Sequence, residues 1–372
     1  MNKKFLELAK KSKVIVIKVG SNILVNEKHS LRKKWLNSLV TDVQKLQKKG
    51  SKIIIVSSGA IALGRNILSK KKLINLHEKQ AAASIGQIQL SQHWQKAFAK
   101  NKIQSSQILI TAEDLNERRK YLNIRNTIYS LMDLNVIPII NENDTTSTEE
   151  IRFGDNDKLS AMIANALSAE LLILLSDVNG LYTANPKKSA QAKLITSVEE
   201  VDHEIEKYID KDLSEYGSGG MLAKVNAAKL CIQSGSTMII SNGLVSNPLE
   251  NINPKTSTWF HPSKNILTSR QQWIWNRPIQ KAIIHIDEGA AKALKKNSSL
   301  LAIGVKNIDG KFYRGDTVSI HYNKKELARG MINYDFQEMD KIKGKKSKEF
   351  SGILGFVRED EIIHKDNLVA SR

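Results

Sequence analysis

Short apolar runs alternate with longer amphipathic stretches over the first two thirds of the chain. Residues 14–19 form a β-branched run that ends at Gly20, and residues 31–49 follow with the apolar spacing of a helix that Gly50 stops. The same order of strand, turn and helix then repeats. The further predicted strands are residues 53–56, 108–111, 136–140 and 171–175, and the further predicted helices are residues 81–99, 118–134 and 158–167.

The predicted strands are apolar without interruption, which is typical of strands buried on both faces. Strands of this kind alternating with helices predict an α/β fold in which a mainly parallel sheet is sandwiched by helices. In open sheets of that class, ligands bind at the carboxyl ends of the strands. Polar segments that directly follow a predicted strand are therefore the candidates for chemistry.

The pattern changes near residue 280. From there on the helical stretches shorten, and the short strand candidates are residues 283–286, 317–321 and 352–357. Turn signals separate them, among them Asp309-Gly310 and Arg314-Gly315. We expect a first domain over residues 1–276 and a small β-rich domain over residues 277–372.

Length and composition narrow the class of protein. The chain has 372 residues, is 41% apolar and contains one cysteine, Cys231. This length suits two or three domains with a substantial core, and the single cysteine excludes an intrachain disulfide and any Cys-x-x-Cys site. The purest apolar runs are five residues long, too short for a membrane helix, and residues 1–13 lack the apolar stretch of a secretion signal. We expect a cytoplasmic protein with no membrane partner.

The net charge of +19 is concentrated in one part of the chain. Residues 1–120 carry 25 Lys and Arg against 7 Asp and Glu, whereas residues 121–280 carry 14 against 18 and residues 281–372 carry 18 against 13. A basic surface can bind nucleic acid or attract anionic small molecules. The lysines are spread through helical patterns such as residues 31–49, which favours solvated helix faces over a nucleic-acid site.

Four polar segments lie at predicted strand ends or helix starts. Residues 18–21 (Lys-Val-Gly-Ser) combine a lysine with a glycine whose backbone can approach a phosphate, and residues 57–60 (Ser-Ser-Gly-Ala) offer a hydroxyl at a helix start. Residues 141–144 (Asn-Glu-Asn-Asp) and 154–157 (Gly-Asp-Asn-Asp) supply carboxylates and amides suited to an amino or hydroxyl group of a small substrate. A solvated lysine, a helix cap or a turn could each explain one segment alone.

The fifth segment is glycine-rich and runs into a predicted helix at residues 217–224 (Gly-Ser-Gly-Gly-Met-Leu-Ala-Lys). Backbone N–H groups at a helix start bind anionic oxygens, and Lys224 would add a full charge about one turn into the helix. Ala223 stands where a Walker A motif requires glycine, and no Gly-x-Gly-x-x-Gly follows a predicted strand. Phosphate binding therefore needs a different arrangement.

Taken in order, these segments resemble the amino-acid kinase family. The series also includes Ser176-Asp177 and residues 180–186 (Gly-Leu-Tyr-Thr-Ala-Asn-Pro), so that the resemblance covers residues 14–243, about two thirds of the chain. The part from about residue 280 resembles a PUA domain, a β-rich module first described in RNA-modifying enzymes. The resemblance implies the amino-acid kinase fold followed by a small PUA-like barrel.

The resemblance further implies that the γ-phosphoryl group of ATP is transferred to the side-chain carboxylate of L-glutamate, the first step of proline synthesis. By the same correspondence Lys18 and Lys224 contact the phosphates, Asp157 holds both lysines, and Mg²⁺ bridges the ATP phosphates without a dedicated protein metal site. The implied glutamate-binding residues are Ser58, Asp144 and Asn156. The implied ATP-binding residues are Lys18, Gly20, Ser176, Asp177, Ser218, Gly219, Gly220, Met221, Leu222, Ala223 and Lys224.

Two positions depart from the family pattern, because Ser176 and Ala223 stand where relatives commonly have threonine. The first keeps a hydroxyl beside the nucleotide and the second loses it. The resemblance also suggests a homo-oligomer, proline as a feedback inhibitor and channelling of the product to a glutamyl phosphate reductase.

Two alternatives stay open at this stage. The first is another enzyme of the same family, an aspartate, acetylglutamate or uridylate kinase, since all share the lysine and glycine features. The second is an RNA-binding protein that uses the PUA-like domain. The low net charge of residues 281–372 and the acidic middle of the chain argue against RNA binding.

Overall fold

The computed structural model describes residues 1–68, 73–146, 156–186, 189–208, 220–262, 274, 282–296, 298–323 and 325–370. The chain divides into two compact units, Met1–Ile266 and Leu267–Arg372. The expected domain boundary near residue 276 lies outside the described residues and stays a prediction.

The first unit alternates helices with strands along the chain. Its strands are β1 (Val14–Val19), β2 (Lys52–Ser57), β3 (Ser105–Ile110), β4 (Ile137–Glu142), β5 (Leu171–Ser176), β6 (Leu181–Tyr182), β7 (Leu194–Ile195), β8 (Ser197–Val198), β9 (Thr237–Asn242) and β10 (Thr258–Phe260). Its helices are α1 (Lys3–Lys11), α2 (Ser21–Leu24), α3 (Lys33–Gln47), α4 (Ala60–Ile67), α5 (Leu76–Ala99), α6 (Ala112–Asn116), α7 (Arg118–Asp133), α8 (Asn156–Ala166), α9 (His203–Lys207) and α10 (Met221–Ser234).

Eight strands of the described residues form one sheet in the order β3-β4-β2-β1-β5-β9-β10-β8. The pairings from β3 to β9 are all parallel, and β10 alone runs antiparallel to its neighbour β9. Strands β1, β4 and β5 are buried along their whole length. The predicted mainly parallel sheet covered by helices is therefore confirmed.

The strand order places a change of direction beside β1. The chain passes from β1 to β2 on one side of the sheet, and later crosses over to β5 on the other side of β1. The loops that follow β1 and β5 therefore lead away from each other at the carboxyl ends of the strands. In open α/β sheets this is where a crevice forms and a ligand binds.

Side-chain alternation along β1 assigns residues to the two sides of the sheet. Ile15, Ile17 and Val19 belong to a large apolar core that also contains Trp94 and Phe98 of α5. Because successive side chains of a strand point to opposite faces, Lys18 points to the other side. Helices α8 and α10 pack against each other on that side, and α8 also contacts β1.

Helices α4 and α5 approach each other unusually closely through two glycines. A Cβ atom built on Gly64 would lie 1.8 Å from the main-chain oxygen of Ala82, and one built on Gly86 would lie 1.9 Å from that of Ala60. No side chain fits into these gaps, so the contact requires glycine at both positions. The packing holds the start of α4, and with it the Ser58-Gly59 turn, next to the end of β2.

The second unit is a small mixed sheet with short helices. Its strands are β11 (Ile283–Ile286), β12 (Val305–Asp309), β13 (Thr317–Tyr322), β14 (Lys325–Met331) and β15 (Leu368–Ala370), and its helices are α11 (Glu288–Lys295), α12 (Phe336–Ile342) and α13 (Phe350–Leu354). The sheet order is β12-β11-β13-β14-β15. Its separate apolar core includes Tyr334 and Phe350, whose rings meet edge to face. The expected β-rich second domain is confirmed.

One predicted strand of the second unit is wrong. Residues 352–357 do not form a strand, because helix α13 extends to Leu354 and ends at Gly355 with a φ of 78°. The buried Phe350 anchors this helix in the core. The short apolar pair Ile353-Leu354 fits a strand or a helix turn equally well, and Gly355 stops a helix through its left-handed conformation.

Helix α1 is an addition to the expected elements. It buries Phe5 and Ala9 against the first core and leaves its lysines outside. None of the helices in the described ranges is long and apolar enough to cross a membrane.

Candidate active site

One carboxylate joins two lysines from distant parts of the chain. Lys18 near the end of β1 places its Nζ 2.5 Å from Asp157 Oδ1, and Lys224 in the first turn of α10 places its Nζ 2.9 Å from Asp157 Oδ2. Lys224 donates a hydrogen bond to Asp157 Oδ2. Lys18 forms an ion pair with Asp157 Oδ1, but the angles of that contact are not those of a hydrogen bond. Asp157 is 2% exposed, and the lysines are 8% and 9% exposed. The group carries a net charge of +1 in a buried position.

The two lysines determine the charge state of Asp157. Burial by itself would raise the pKa of this carboxyl, but attraction to the ammonium groups of Lys18 and Lys224 outweighs burial, and the pKa lies below its usual value. The carboxyl therefore stays ionised at neutral pH. The three charged groups are held firmly in place, because losing either lysine would leave the buried Asp157 charge with less compensation.

Backbone groups surround this cluster at the carboxyl ends of β1 and β2. Gly20 follows β1 at the start of the four-residue helix α2, and a Cβ atom there would lie 3.7 Å from Lys18 Nζ. The Ser58 main-chain N–H donates to the main-chain oxygen of Val19 over 3.0 Å, which joins the two loops. Gly59 begins α4 with a φ of 115°, a conformation that other residues rarely adopt.

Side-chain hydrogen bonds connect Ser58 to the end of strand β4 and to helix α5. Asn156 Nδ2 donates to Ser58 Oγ over 2.7 Å and to Asn141 Oδ1 over 3.1 Å. Asn141 Nδ2 in turn donates to Gln87 Oε1 over 2.8 Å. Asn156 Oδ1 is buried and finds no hydrogen-bond partner among the described residues.

Two further carboxylates lie at the end of β4. Glu142 is the last residue of the strand and Asp144 follows two residues later, and both are buried. Burial raises the pKa of Asp144 to about 7, and the negative charge of Glu142 adds to the effect. The structure brings Ser58 and Asn156 together by a hydrogen bond, and among the described residues no hydrogen bond joins Asp144 to either of them.

Ser176 and Asp177 occupy the end of β5, next to β1. Ser176 is buried and its Oγ donates to Asp177 Oδ1 over 3.3 Å, whereas Asp177 is exposed. The main-chain oxygen of Ser176 accepts from Gly243 N–H over 2.7 Å, which ties the ends of β5 and β9 together. The pair thus borders the crevice on the side away from β2.

The glycine-rich segment leads into α10. Gly220 is the N-cap residue and makes no side-chain cap hydrogen bond, so it does not cap the first N–H groups of α10. Met221 opens the helix, Leu222 is 56% exposed, and Ala223 is buried. Ser218 and Gly219, which the sequence analysis includes in the ATP site, lie outside the described residues, as does the part of the 154–157 segment before Asn156.

Sequence reasoning missed two members of this site. Gln87 lies in the middle of the long helix α5 and has no motif around it, and Glu142 was noted only as part of a polar segment. The position of Gln87 follows from the packing of α5 and that of Glu142 from the pairing of β4 with β3, and no local sequence pattern indicates either. Within the described ranges, no group of three or more His, Cys, Asp or Glu side chains is arranged to hold a metal ion.

Two protein-family models and several curated proteins match this chain. The model of the amino acid kinase family matches residues 13–242, and that of the PUA domain matches residues 282–354. A protein named Glutamate 5-kinase from Pelagibacter ubique is 46% identical over 363 residues, covering 97% of this chain and 99% of that protein. Proteins of the same name from Allorhizobium ampelinum and Sinorhizobium fredii are each 44% identical, over 96% and 95% of this chain and 92% and 91% of their own lengths.

Proposed function

Since this chain belongs to the amino acid kinase family, we propose that it transfers the γ-phosphoryl group of ATP to the side-chain carboxylate of L-glutamate. It is a phosphotransferase, and its product, L-glutamyl 5-phosphate, is the first intermediate of proline biosynthesis. The observation that carries the proposal is the pair of buried lysines on Asp157, a fixed positive site at the carboxyl edge of a parallel sheet.

The chemistry needs charge stabilisation more than proton transfer. A glutamate side-chain carboxylate is ionised at neutral pH, so one of its oxygens can attack the γ-phosphorus without a general base. The new P–O bond forms as the bond between the γ-phosphorus and the β-phosphate oxygen breaks, and ADP leaves with that electron pair. Enzymes accelerate such transfers by positioning the two substrates and by stabilising the charge on the phosphoryl oxygens.

We assign that stabilisation to Lys18 and Lys224. They come from β1 and α10, on different sides of Asp157, so that two ammonium groups can face the transferred group from two directions. Asp157 keeps both in place and offsets part of their mutual repulsion. Its ionised state at neutral pH is what this positioning role requires.

ATP fits the remaining donors around the lysines. Gly20 has no side chain, so its backbone beside Lys18 can approach a phosphate closely, and the N–H groups at the start of α10 suit anionic oxygens. We assign to ATP binding the residues Lys18, Gly20, Ser176, Asp177, Ser218, Gly219, Gly220, Met221, Leu222, Ala223 and Lys224. Mg²⁺ would be held mainly through the ATP phosphates, where it supplies further positive charge.

Glutamate binding is assigned to Ser58, Asp144 and Asn156. The unpartnered Asn156 Oδ1 is an acceptor for an ammonium group, and the buried Asp144 offers a carboxylate to the same charge. Ser58 Oγ accepts from Asn156, which leaves its own hydrogen for a substrate carboxylate. These groups match an amino acid, which carries both charges.

Related acceptors are less favoured than glutamate. Curated relatives at 43–46% identity over nearly the full chain carry the name Glutamate 5-kinase, which speaks against an aspartate, acetylglutamate or uridylate kinase. The same match argues against a protein whose main activity is RNA binding. We further propose a cytoplasmic homo-oligomer with domains over residues 1–276 and 277–372, feedback inhibition by proline, and transfer of the product to a glutamyl phosphate reductase.

The test is Mg²⁺-dependent ADP release with a panel of acceptors, and hydroxylamine to trap an acyl phosphate as its hydroxamate. L-glutamate should support turnover at least tenfold faster than L-aspartate, N-acetyl-L-glutamate or UMP. Equal turnover of aspartate would refute the substrate assignment. Tight, salt-sensitive tRNA retention on filters, without glutamate-dependent ADP release, would instead support the RNA-binding alternative.

A further inference from the structure

A chain of side-chain amides reaches from an edge strand of the sheet to the substrate site. Its members, in order, are Gln107 of β3, Ser91 and Gln87 of α5, Asn141 of β4, Asn156 of α8 and Ser58. Only Ser58 and Asn156 belong to the proposed glutamate site. The other members have no role assigned to them so far, although Asn141 and Gln87 hydrogen-bond in series to Asn156.

The direction of the hydrogen bonds is determined at Ser91. Its Oγ lies 2.9 Å from the main-chain oxygen of Gln87, and a main-chain oxygen can only accept a hydrogen from it. A hydroxyl has one hydrogen, so Ser91 Oγ must accept from the Gln87 side chain, whose Nε2 lies 3.2 Å away. Gln87 therefore presents its Oε1, and not its NH₂ group, to Asn141.

Each amide passes this orientation to the next. Because Gln87 Oε1 accepts, Asn141 donates through Nδ2 and turns its Oδ1 toward Asn156. Both hydrogens of Asn156 Nδ2 are then used, one on Asn141 and one on Ser58. Asn156 Oδ1 is consequently left as a buried acceptor with no partner among the described residues. A reversed Asn156 would present an NH₂ group in its place.

We propose that Gln87 is a positioning residue that orients the Asn156 amide so that its oxygen receives the α-ammonium group of glutamate. The inference rests on the proposed function, because it assigns a task within that substrate site. An oxygen at this position attracts the ammonium group and an NH₂ group would repel it. Gln87 thus contributes to substrate selection through Asn141 and Asn156, without touching the substrate.

The test compares Gln87→Met, which keeps the length of the side chain and removes its acceptor, with Gln87→Glu, which keeps an acceptor. Gln44→Met is the matched control, since Gln44 is also a half-buried helix glutamine, and its Nε2 donates to the Asn101 main-chain oxygen away from the strand ends. KM for glutamate, KM for ATP, kcat and Tm are measured for each variant, together with Ki for glutarate, which is glutamate without the amino group.

Gln87→Met should raise KM for glutamate about tenfold, with kcat reduced less than threefold and KM for ATP within twofold of the wild type. The Ki of glutarate should change less than twofold, because glutarate has no ammonium group for Asn156 to receive. Gln87→Glu should keep KM within threefold of the wild type, and Gln44→Met should leave all four constants unchanged.

Three results would overturn the proposal: an unchanged KM for glutamate in Gln87→Met, an equal loss of affinity for glutarate, or no rescue by Gln87→Glu. If Gln87→Met fails to fold, Ser91→Ala replaces it, since it removes the group that orients Gln87 and should raise KM for glutamate about threefold. An unchanged KM in Ser91→Ala would then overturn the proposal. A wild-type enzyme that does not phosphorylate glutamate refutes the proposed function itself, which is a separate outcome.

Discussion

Replacing Asp157 by asparagine removes the charge that holds Lys18 and Lys224 together and changes little else in shape. The carboxylate is 2% exposed and contacts ammonium groups at 2.5 and 2.9 Å. Removing one partner of a buried ion pair costs roughly 3–5 kcal/mol, because the remaining charge is left buried without compensation. Here both lysines retain some access to water, so we expect the lower end of that range for the free energy of unfolding, about 3 kcal/mol.

The effect on catalysis should be larger than the effect on substrate binding. Without the carboxylate the two ammonium groups repel each other and leave the positions from which they face the phosphoryl group. A loss of about 3 kcal/mol in transition-state stabilisation corresponds to a reduction of kcat by roughly 100-fold, since each 1.36 kcal/mol is a factor of about ten. KM for glutamate should change only a few-fold, because neither lysine is assigned to the glutamate site.

The assay is ADP release at saturating ATP and glutamate, with urea unfolding measured in parallel. Asp42→Asn serves as a matched control, because Asp42 is fully buried and accepts from Asn247 Nδ2 and Leu249 N–H, each over 3.0 Å, outside the active site. This control should lose stability and keep kcat within threefold of the wild type. If Asp157→Asn retained kcat within threefold, the positioning role of this carboxylate would be refuted.

Three further predictions concern pH, packing and domain structure. The pKa of about 7 for Asp144 should make kcat/KM for glutamate fall about tenfold per pH unit below pH 7, and Asp144→Asn should abolish this decrease. Because that pKa is raised above its unfolded value, the free enzyme should lose stability as pH rises from about 4 through about 7, which urea unfolding in the wild type and Asp144→Asn can measure. Gly86→Ala should lower the free energy of unfolding by roughly 1–3 kcal/mol, since its Cβ would meet the Ala60 main-chain oxygen at 1.9 Å, whereas Gly352→Ala, which meets nothing within 4 Å, should not. A protein ending at Asn276 should fold and phosphorylate glutamate, and a well-folded but inactive truncation would contradict the proposed domain boundary.

Much of the first unit could be predicted from local pattern. Residues 14–19 form β1 with the predicted bounds, and residues 171–175 form β5 with one residue added. These runs are apolar on both faces, and burial on both sides of a parallel sheet is the arrangement that suits them. The strand prediction for residues 352–357 was wrong because a short apolar run has no distinct periodicity. The glycine within this segment, Gly355, can end a helix as readily as a strand.

The sequence also indicated part of the candidate chemistry, because the motifs follow one another in a characteristic order. The order of the motifs identified the family, and the comparisons confirm it. The roles of the individual site residues stay proposals, and the structure contributes the contact of Lys18, Asp157 and Lys224 to them. Gln87 could not be found from sequence, because a glutamine in a helix is ordinarily a solvated residue.

The sequence by itself determined the alternation of strands and helices, the change to short predicted strands near residue 280 and the identity of the charged groups. These features depend only on residue types and their spacing along the chain. Only the tertiary structure decided which groups meet. Lys18 meets Asp157 because alternation along β1 turns it toward α8, and Asp144 has a pKa of about 7 because folding removes it from water beside Glu142. Contacts and desolvation are properties of neighbours in space, and the strand order β2-β1-β5, with its crossover beside β1, makes neighbours of segments that lie far apart in sequence.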